Sequence, residues 1–356
     1  MIKNIQFENF KGFENMSLSD LKPITLISGK NNTGKSSILE GIFLFFDHIS
    51  PDSFMTLNKI RGGIFSQYTV HLWEYLFYKL DTKNHLKISV TYNDTDAMLD
   101  YIRDDSYIST NSFNTTTESK NQFASHAKSK YSLKFHYCKN NYKENGHFTI
   151  TENAILRNIT TSLKNNDVEE MPSILMINPH VHSNDNIITE WVGKLELKGN
   201  KKKIVDILKY MDPMICDICT IAMDGQVLLY VRTNDNLIPL KLAGDGVNML
   251  LYIVLAIIEN PNSIILIDEI ETGFHYSMYK NLWEVIAKAA HDYHCQIIAT
   301  THSYECIVGA LDGMEETGLS KDFCYYRIDR NENGTNAYHF SDELLRTALS
   351  ADMEVR

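Results

Sequence analysis

Gly29-Lys30-Asn31-Asn32-Thr33-Gly34-Lys35-Ser36 is the stretch that decides how this chain of 356 residues is read. It fits G-x-x-x-x-G-K-[ST] at every position. Before it, Ile24-Thr25-Leu26-Ile27 is an apolar run that predicts a buried strand entering the loop. After it, Ser36-Ser37 opens a predicted helix whose Ile38, Ile42, Phe45 and Ile49 recur at helical spacing. Strand, glycine-rich turn and helix N-terminus is the order that an anion site needs. Gly29 and Gly34 allow a tight curl, so that successive N–H groups, those of Asn31, Asn32 and Thr33 among them, face phosphate oxygens. The helix N-terminus adds partial positive charge. Lys35 would bridge the β- and γ-phosphates of ATP, the Ser36 hydroxyl would ligate Mg2+, and Ser37 would reach the α-phosphate.

Far along the chain, Ser263-Ile264-Ile265-Leu266-Ile267 is a short continuous apolar run. A strand covered on both faces of a parallel sheet reads this way. Asp268 and Glu269 then emerge at its C-terminal edge, where ligands bind in open α/β sheets. Asp268 is expected in the magnesium shell, and Glu269 as the base that orients and deprotonates the attacking water. Alone, these residues would read more readily as a core strand with a solvated acidic turn; the loop at Gly29 favours the site. A further strand, Gln296 to Thr300, runs into Thr301-His302-Ser303. A histidine at that edge can donate a hydrogen bond to a γ-phosphate, so His302 is placed in the catalytic set.

In that order these stretches resemble the ABC-type ATPases of the SMC, RecF and OLD group. The opening Ile2-Lys3-Asn4-Ile5-Gln6-Phe7-Glu8-Asn9-Phe10-Lys11-Gly12-Phe13 is similar to the first strand of those heads, with Lys11 of the pattern expected at the nucleotide. Asp268-Glu269-Ile270-Glu271-Thr272-Gly273-Phe274-His275 resembles their Walker B segment and D-loop, and Thr300-Thr301-His302-Ser303 their switch histidine. Leu242-Ala243-Gly244-Asp245-Gly246, before an apolar helix from Val247 to Ile258, stands where their signature helix begins. Ala243 replaces the family's serine, and the Gly-Asp-Gly form is similar to that of OLD-like defence ATPases.

The resemblance implies an α/β fold: an ABC-type head of a P-loop NTPase, with a mostly parallel core sheet, a flanking antiparallel β lobe and an α/β insert. Residues 1–95 and 204–356 would make the head and 96–203 the insert. Two subunits would sandwich two nucleotides, each bound by the loop of one chain and Gly244, Asp245 and Gly246 of the other. The Q-loop contact to magnesium falls to Gln67, the nearby glutamine after the first helix.

Composition adds bounds. A formal net charge of −11 does not indicate a generic duplex-DNA binder. Lys201-Lys202-Lys203 is a local basic cluster of the kind that opens a solvated helix. Six cysteines without a signal peptide predict a reducing cytoplasmic setting, and Cys216-Asp217-Ile218-Cys219 lacks the second pair that a zinc site needs. The longest apolar stretch is too short to span a membrane. Leu86 to Tyr92 alternates as a strand, whereas Asn93 to Lys130 is polar and predicts a loop or partly ordered insert. Strands are predicted at Tyr131–Cys138, His147–Ile155, Ile218–Met223 and Gln226–Val231, the last two around an Asp224-Gly225 hairpin signal.

No heptad pattern runs through the middle, and the stretch after His302 is too short for the TOPRIM domain of OLD proteins. The leading expectation is therefore a stand-alone OLD-like ATPase of a bacterial anti-phage system. Its partners would be itself, as a homodimer or an assembly of dimers, a separately encoded TOPRIM or HNH nuclease as effector, and a phage trigger protein. The alternative is a RecF- or SMC-like repair ATPase that clamps DNA.

Overall fold

The computed structural model describes residues 1–62, 71–104, 132–150, 155–161, 171–179, 185–210, 212–223, 226–332, 334–351 and 353–356. The chain opens with strands β1 (Ile2–Phe10), β2 (Phe13–Ser19) and β3 (Ile24–Gly29), then helix α1 (Lys35–Phe46). Two short helices, α2 (Asp52–Ile60) and α3 (His71–Glu74), precede strands β4 (Leu86–Tyr92), β5 (Thr95–Arg103), β6 (Ser132–Lys139), β7 (Tyr142–Ile150) and β8 (Ile155–Thr161). Next come β9 (Ile174–Ile177), α4 (Asp185–Leu197), α5 (Lys201–Leu208), β10 (Ile215–Met223), β11 (Gln226–Thr233) and β12 (Leu237–Pro239). The remainder is α6 (Asp245–Glu259), β13 (Ile264–Ile267), α7 (Tyr279–Asp292), β14 (Gln296–Thr301), α8 (Tyr304–Thr317), β15 (Phe323–Asn331), β16 (Gly334–Phe340) and α9 (Asp342–Ser350).

By compactness the chain forms two units: Met1–Lys3, Leu18–Phe46 and Met171–Arg356 in the first, Asn4–Ser17 and Asp47–Glu170 in the second. The first unit is built on a six-stranded sheet of order β16-β15-β3-β14-β13-β9. Five of its strands run parallel, and β16 alone pairs antiparallel at one edge. Every residue of β3, β13 and β14 is buried, as expected of parallel strands covered on both faces. Helix α1 packs on this sheet, and α7 and α8 lie against each other. Glycines make the α7–α8 approach close: a Cβ on Gly309 would lie 2.6 Å from Tyr279 Cβ, and one on Gly313 2.9 Å from Trp283 Cβ. The apolar faces of α4 to α9 join the sheet in one continuous core. Helix α1 ends at Phe46, so Ile49, 36% exposed, lies beyond the helix to which its spacing assigned it.

In the second unit β4 to β8 are successive antiparallel partners. Here the reading of a polar loop from Asn93 onward is corrected. Asn93 and Asp94, at φ 48° and 61°, make a two-residue turn from β4 into β5. Both central residues take positive φ, the conformation that asparagine and aspartate tolerate in such hairpins. In β5, Ala97, Leu99 and Tyr101 are buried while the residues between them are not, a strand alternation masked by the apolar Met98 and Ile102 on the less buried face. The rest of that polar stretch lies outside the described residues. The Asp224-Gly225 turn does too, although Met223 and Gln226 on either side of it are paired. No helix among the described residues is long and apolar enough to cross a membrane.

Candidate active site

β3, β14 and β13 are parallel neighbours, so their C-terminal ends share one edge of the sheet and each delivers part of the site. The phosphate loop leaves β3 at Gly29, whose φ is +148°. A Cβ there would lie 2.2 Å from the carbonyl oxygen of Ile328 in β15 and 3.0 Å from Thr33 Oγ1, so only glycine fits. Thr33 Oγ1 donates to Lys30 O at 2.9 Å, and Ile38 N–H to Gly34 O at 3.0 Å as α1 begins. Lys35 folds back over the loop. Its Nζ donates to Gly29 O at 2.8 Å and Lys30 O at 3.0 Å, and lies 3.3 Å from His302 Nδ1. Burial pushes the Lys35 ammonium down to about 8, against the opposing pull of Asp268, Glu271 and Glu269.

Asp268, only 5% exposed, follows β13. Its Oδ1 accepts from Ser36 Oγ at 3.1 Å and from Thr300 Oγ1 at 2.6 Å, and its Oδ2 from Asn178 Nδ2 at 3.4 Å. Burial raises its pKa, and the hydrogen bonds from Thr300 and Ser36 act the other way. A buried carboxylate beside a serine hydroxyl at the start of a phosphate loop is a hard oxygen donor set, which fits Mg2+.

Glu269 takes φ +46°, and its N–H donates to Thr300 Oγ1 at 2.9 Å. This fixes the turn that carries its carboxylate outward. Glu269 Oε1 is 3.9 Å from His302 Nε2. A lysine ammonium can only donate, so its contact with Nδ1 leaves the histidine proton on Nε2, the nitrogen facing Glu269. The N–H of His302 donates to Glu271 Oε1 at 2.6 Å, and Ser303 caps α8 by accepting from Cys306 N–H at 3.0 Å.

The structure thus brings Gly29, Thr33, Gly34, Lys35, Ser36, Asp268, Glu269 and His302 to one edge. Ser37 is buried on α1, while Asn31 and Asn32 are exposed on the loop. Gly244, at φ +101°, precedes α6, and both it and Asp245 are exposed. Their neighbour is the turn after Glu269: a Cβ on Gly273 would lie 3.2 Å from Asp245 Cβ and 3.5 Å from Gly246 N. Lys11 belongs to the second unit, its Nζ 5.8 Å from the Phe10 ring centroid. Gln67 lies outside the described residues.

Sequence reasoning assigned no role to Thr300, Asn178 or Glu271. Thr300 reads as the end of a strand, although a buried threonine beside an acidic edge is a hydrogen-bond donor in waiting. Asn178 follows the four apolar residues of β9, a run too short to stand out. Glu271 was legible only as part of a motif.

The protein family described as "AAA domain, putative AbiEii toxin, Type IV TA system" matches residues 24–307. An "ATP/GTP phosphatase" of Helicobacter pylori is 25% identical over 379 residues, spanning 96% of this chain and 99% of that protein. Among solved structures, an Smc head bound to the C-winged helix domain of ScpA superposes with a TM-score of 0.55 at 11% identity, covering 98% of this chain and 99% of that one. An Smc head with an extended coiled coil, bound to the C-terminal domain of ScpA derived from Pyrococcus furiosus, gives 0.53 at 10% identity, covering 99% of each. Both likenesses concern the fold.

Proposed function

The chain belongs to the AAA-domain family that spans its residues 24–307, and from that membership we propose that this ATPase is the nucleotide-driven switch of a bacterial anti-phage defence system, holding or releasing a separate effector. ATP hydrolysis on an SMC-head-like fold is the chemistry it brings. The wording of the family's description, which names a putative toxin of a type IV system, and the OLD-like Gly244-Asp245-Gly246 segment support the defence role.

The residues divide the work as follows. The loop from Gly29 to Gly34 presents backbone N–H groups to the triphosphate, and Lys35 adds a charge with little water around it. Ser36 and Asp268 would hold Mg2+, with the Asn178 amide beside Asp268. That ion would supply positive charge to the phosphate oxygens. Glu269 accepts a proton from the attacking water, its carboxylate aimed by the Thr300 hydrogen bond. His302 Nε2–H donates to the γ-phosphate. Contacts made with ATP vanish with ADP, which is the basis of a switch. The exposed Gly244 and Asp245 would meet the nucleotide of a second copy.

The observation that carries this reading is the 3.1 Å hydrogen bond from Ser36 to Asp268, which joins the phosphate loop to the acidic strand end. The test is the solution mass of the Glu269→Gln protein with and without Mg-ATP, paired with phage challenge of cells carrying the chain and its neighbouring genes. Dimerisation on ATP, and loss of protection in Lys35→Ala cells, are expected. Full protection in Lys35→Ala cells would remove the nucleotide switch from defence.

The SMC-head fold favours a second reading, a DNA clamp. That protein would bind DNA with a steep salt dependence, against which the net charge of −11 weighs.

A further inference from the structure

We propose that Glu271 is a positioning residue for ATP hydrolysis: its carboxylate latches the backbone of His302, and the turn it begins rests on the start of α6, so that the switch histidine and the Gly-Asp-Gly segment are set by one strap. This rests on the reading that Glu269 and His302 act at the γ-phosphate.

Two observations on opposite ends of the turn carry it. At the first end, Glu271 Oε1 accepts from His302 N–H at 2.6 Å, a charge-assisted bond at the short end of its range. The other oxygen, Oε2, is buried with no hydrogen-bond partner among the described residues. A buried carboxylate oxygen left unpaired is destabilising, so packing alone does not account for an acid here. What it provides is a fixed acceptor at the point where β14 ends and α8 begins. Its charge also reaches Lys35.

At the other end, Gly273 takes φ +86°, a conformation that strains any side chain, and a Cβ on it would press on Asp245 Cβ at 3.2 Å. Between the two ends the turn is closed on itself. Thr272 N–H donates to Glu269 O at 2.9 Å and Phe274 N–H to Glu271 O at 3.2 Å, while Phe274 is anchored in the core. A shift of His302 therefore pulls on a short closed turn whose Gly273 lies beside Asp245 and Gly246. Glu269, two residues before Glu271, is tied to the turn through that bond from Thr272, so base, histidine and signature segment share one mechanical element.

The experiment compares steady-state ATP turnover and binding of a fluorescent ATP analogue for wild type, Glu271→Ala, Glu271→Gln, Gly273→Ala and Glu269→Gln. Glu271→Ala should lower kcat about tenfold or more, the effect of losing one charge-assisted bond, with analogue binding within about twofold. Glu271→Gln keeps an oxygen acceptor for His302 N–H and should stay within about threefold of wild-type kcat. Gly273→Ala, which leaves the carboxylate in place, should also lower kcat while sparing binding. Wild-type kcat in Glu271→Ala, or an equal loss in Glu271→Gln, overturns the latch. Should Glu271→Ala not fold, wild-type kcat in Gly273→Ala overturns the strap. Glu269→Gln separates the two levels: if it is slow while Glu271→Ala is unaffected, the latch alone fails, and if it turns over normally the reading of the site fails.

Discussion

Lys35 Nζ and His302 Nδ1 are 3.3 Å apart. The cation of the phosphate loop and the histidine at the end of β14 therefore share a contact, although they lie at opposite ends of the chain. A ligand that draws Lys35 toward its phosphates changes the hydrogen bonding of the histidine in the same step. The site can register an arriving triphosphate before any bond in it breaks.

Lys35→Ala removes the buried charge and both of its bonds to the loop carbonyls. ATP binding should be abolished, as read by titration with a fluorescent analogue. Unchanged binding would remove the phosphate-loop assignment.

The pH dependence of binding follows from the same residue. Burial holds the Lys35 ammonium down at about 8, and contact with an anionic triphosphate raises it in the complex. Above pH 8, binding must therefore take up a proton, and affinity should fall as pH rises, by up to about tenfold per unit. Calorimetric titration at about pH 9 in two buffers of different ionisation heat reads the uptake. Identical heats would mean that Lys35 does not meet the phosphates.

Glu269→Gln leaves the backbone bond to Thr300 in place and removes the proton acceptor. It should bind ATP and hydrolyse it about a hundredfold more slowly, the size expected for losing a general base. Wild-type single-turnover rates would move the base elsewhere.

Asp245→Arg alters an exposed side chain at the start of α6. Nucleotide binding by the monomer should survive and turnover should fall, because this segment is proposed to complete the site of a second copy. Full turnover at all protein concentrations would take the Gly-Asp-Gly segment out of the active interface.

Gly309→Ala would place a Cβ 2.6 Å from Tyr279 Cβ and 3.0 Å from the backbone nitrogen of Lys280. Neither atom can rotate away, so α7 and α8 must separate, at a cost of about 1–3 kcal/mol. A lower Tm by calorimetry is the expected result, and an unchanged Tm would mean that the two helices adjust without loss.

What was legible in the sequence is what local spacing encodes. The loop from Gly29 to Ser36 carries its own geometry, and the apolar runs before Asp268 and His302 mark strands that can only be interior. Their meeting at one edge follows from parallel pairing. The polar partners were hidden because each depends on a neighbour remote in sequence. Thr300 reaches Asp268 and Glu269 only through β13–β14 pairing, Asn178 reaches Asp268 only because β9 flanks β13, and Glu271 meets His302 across a turn. In the second unit β5 was hidden by its own chemistry, since Asn93 and Asp94 suit both a two-residue turn and a disordered stretch, and the apolar Met98 and Ile102 on its outer face blur the alternation.

The placement of β3 bears on how the protein is made. Leu26 pairs with Ala299 on one side and Tyr325 on the other, and in the finished sheet these are its neighbours. A growing chain exposes the phosphate-loop sequence well before β14 and β15, the strands that flank β3, have left the ribosome. At about 5–20 residues per second, that delay is roughly 15–60 seconds. Over that interval the loop lacks the two strands that flank β3 in the finished sheet. A chain that stops short of β14 and β15 lacks the sheet on which the loop is held, a form of quality control that is written into the strand order.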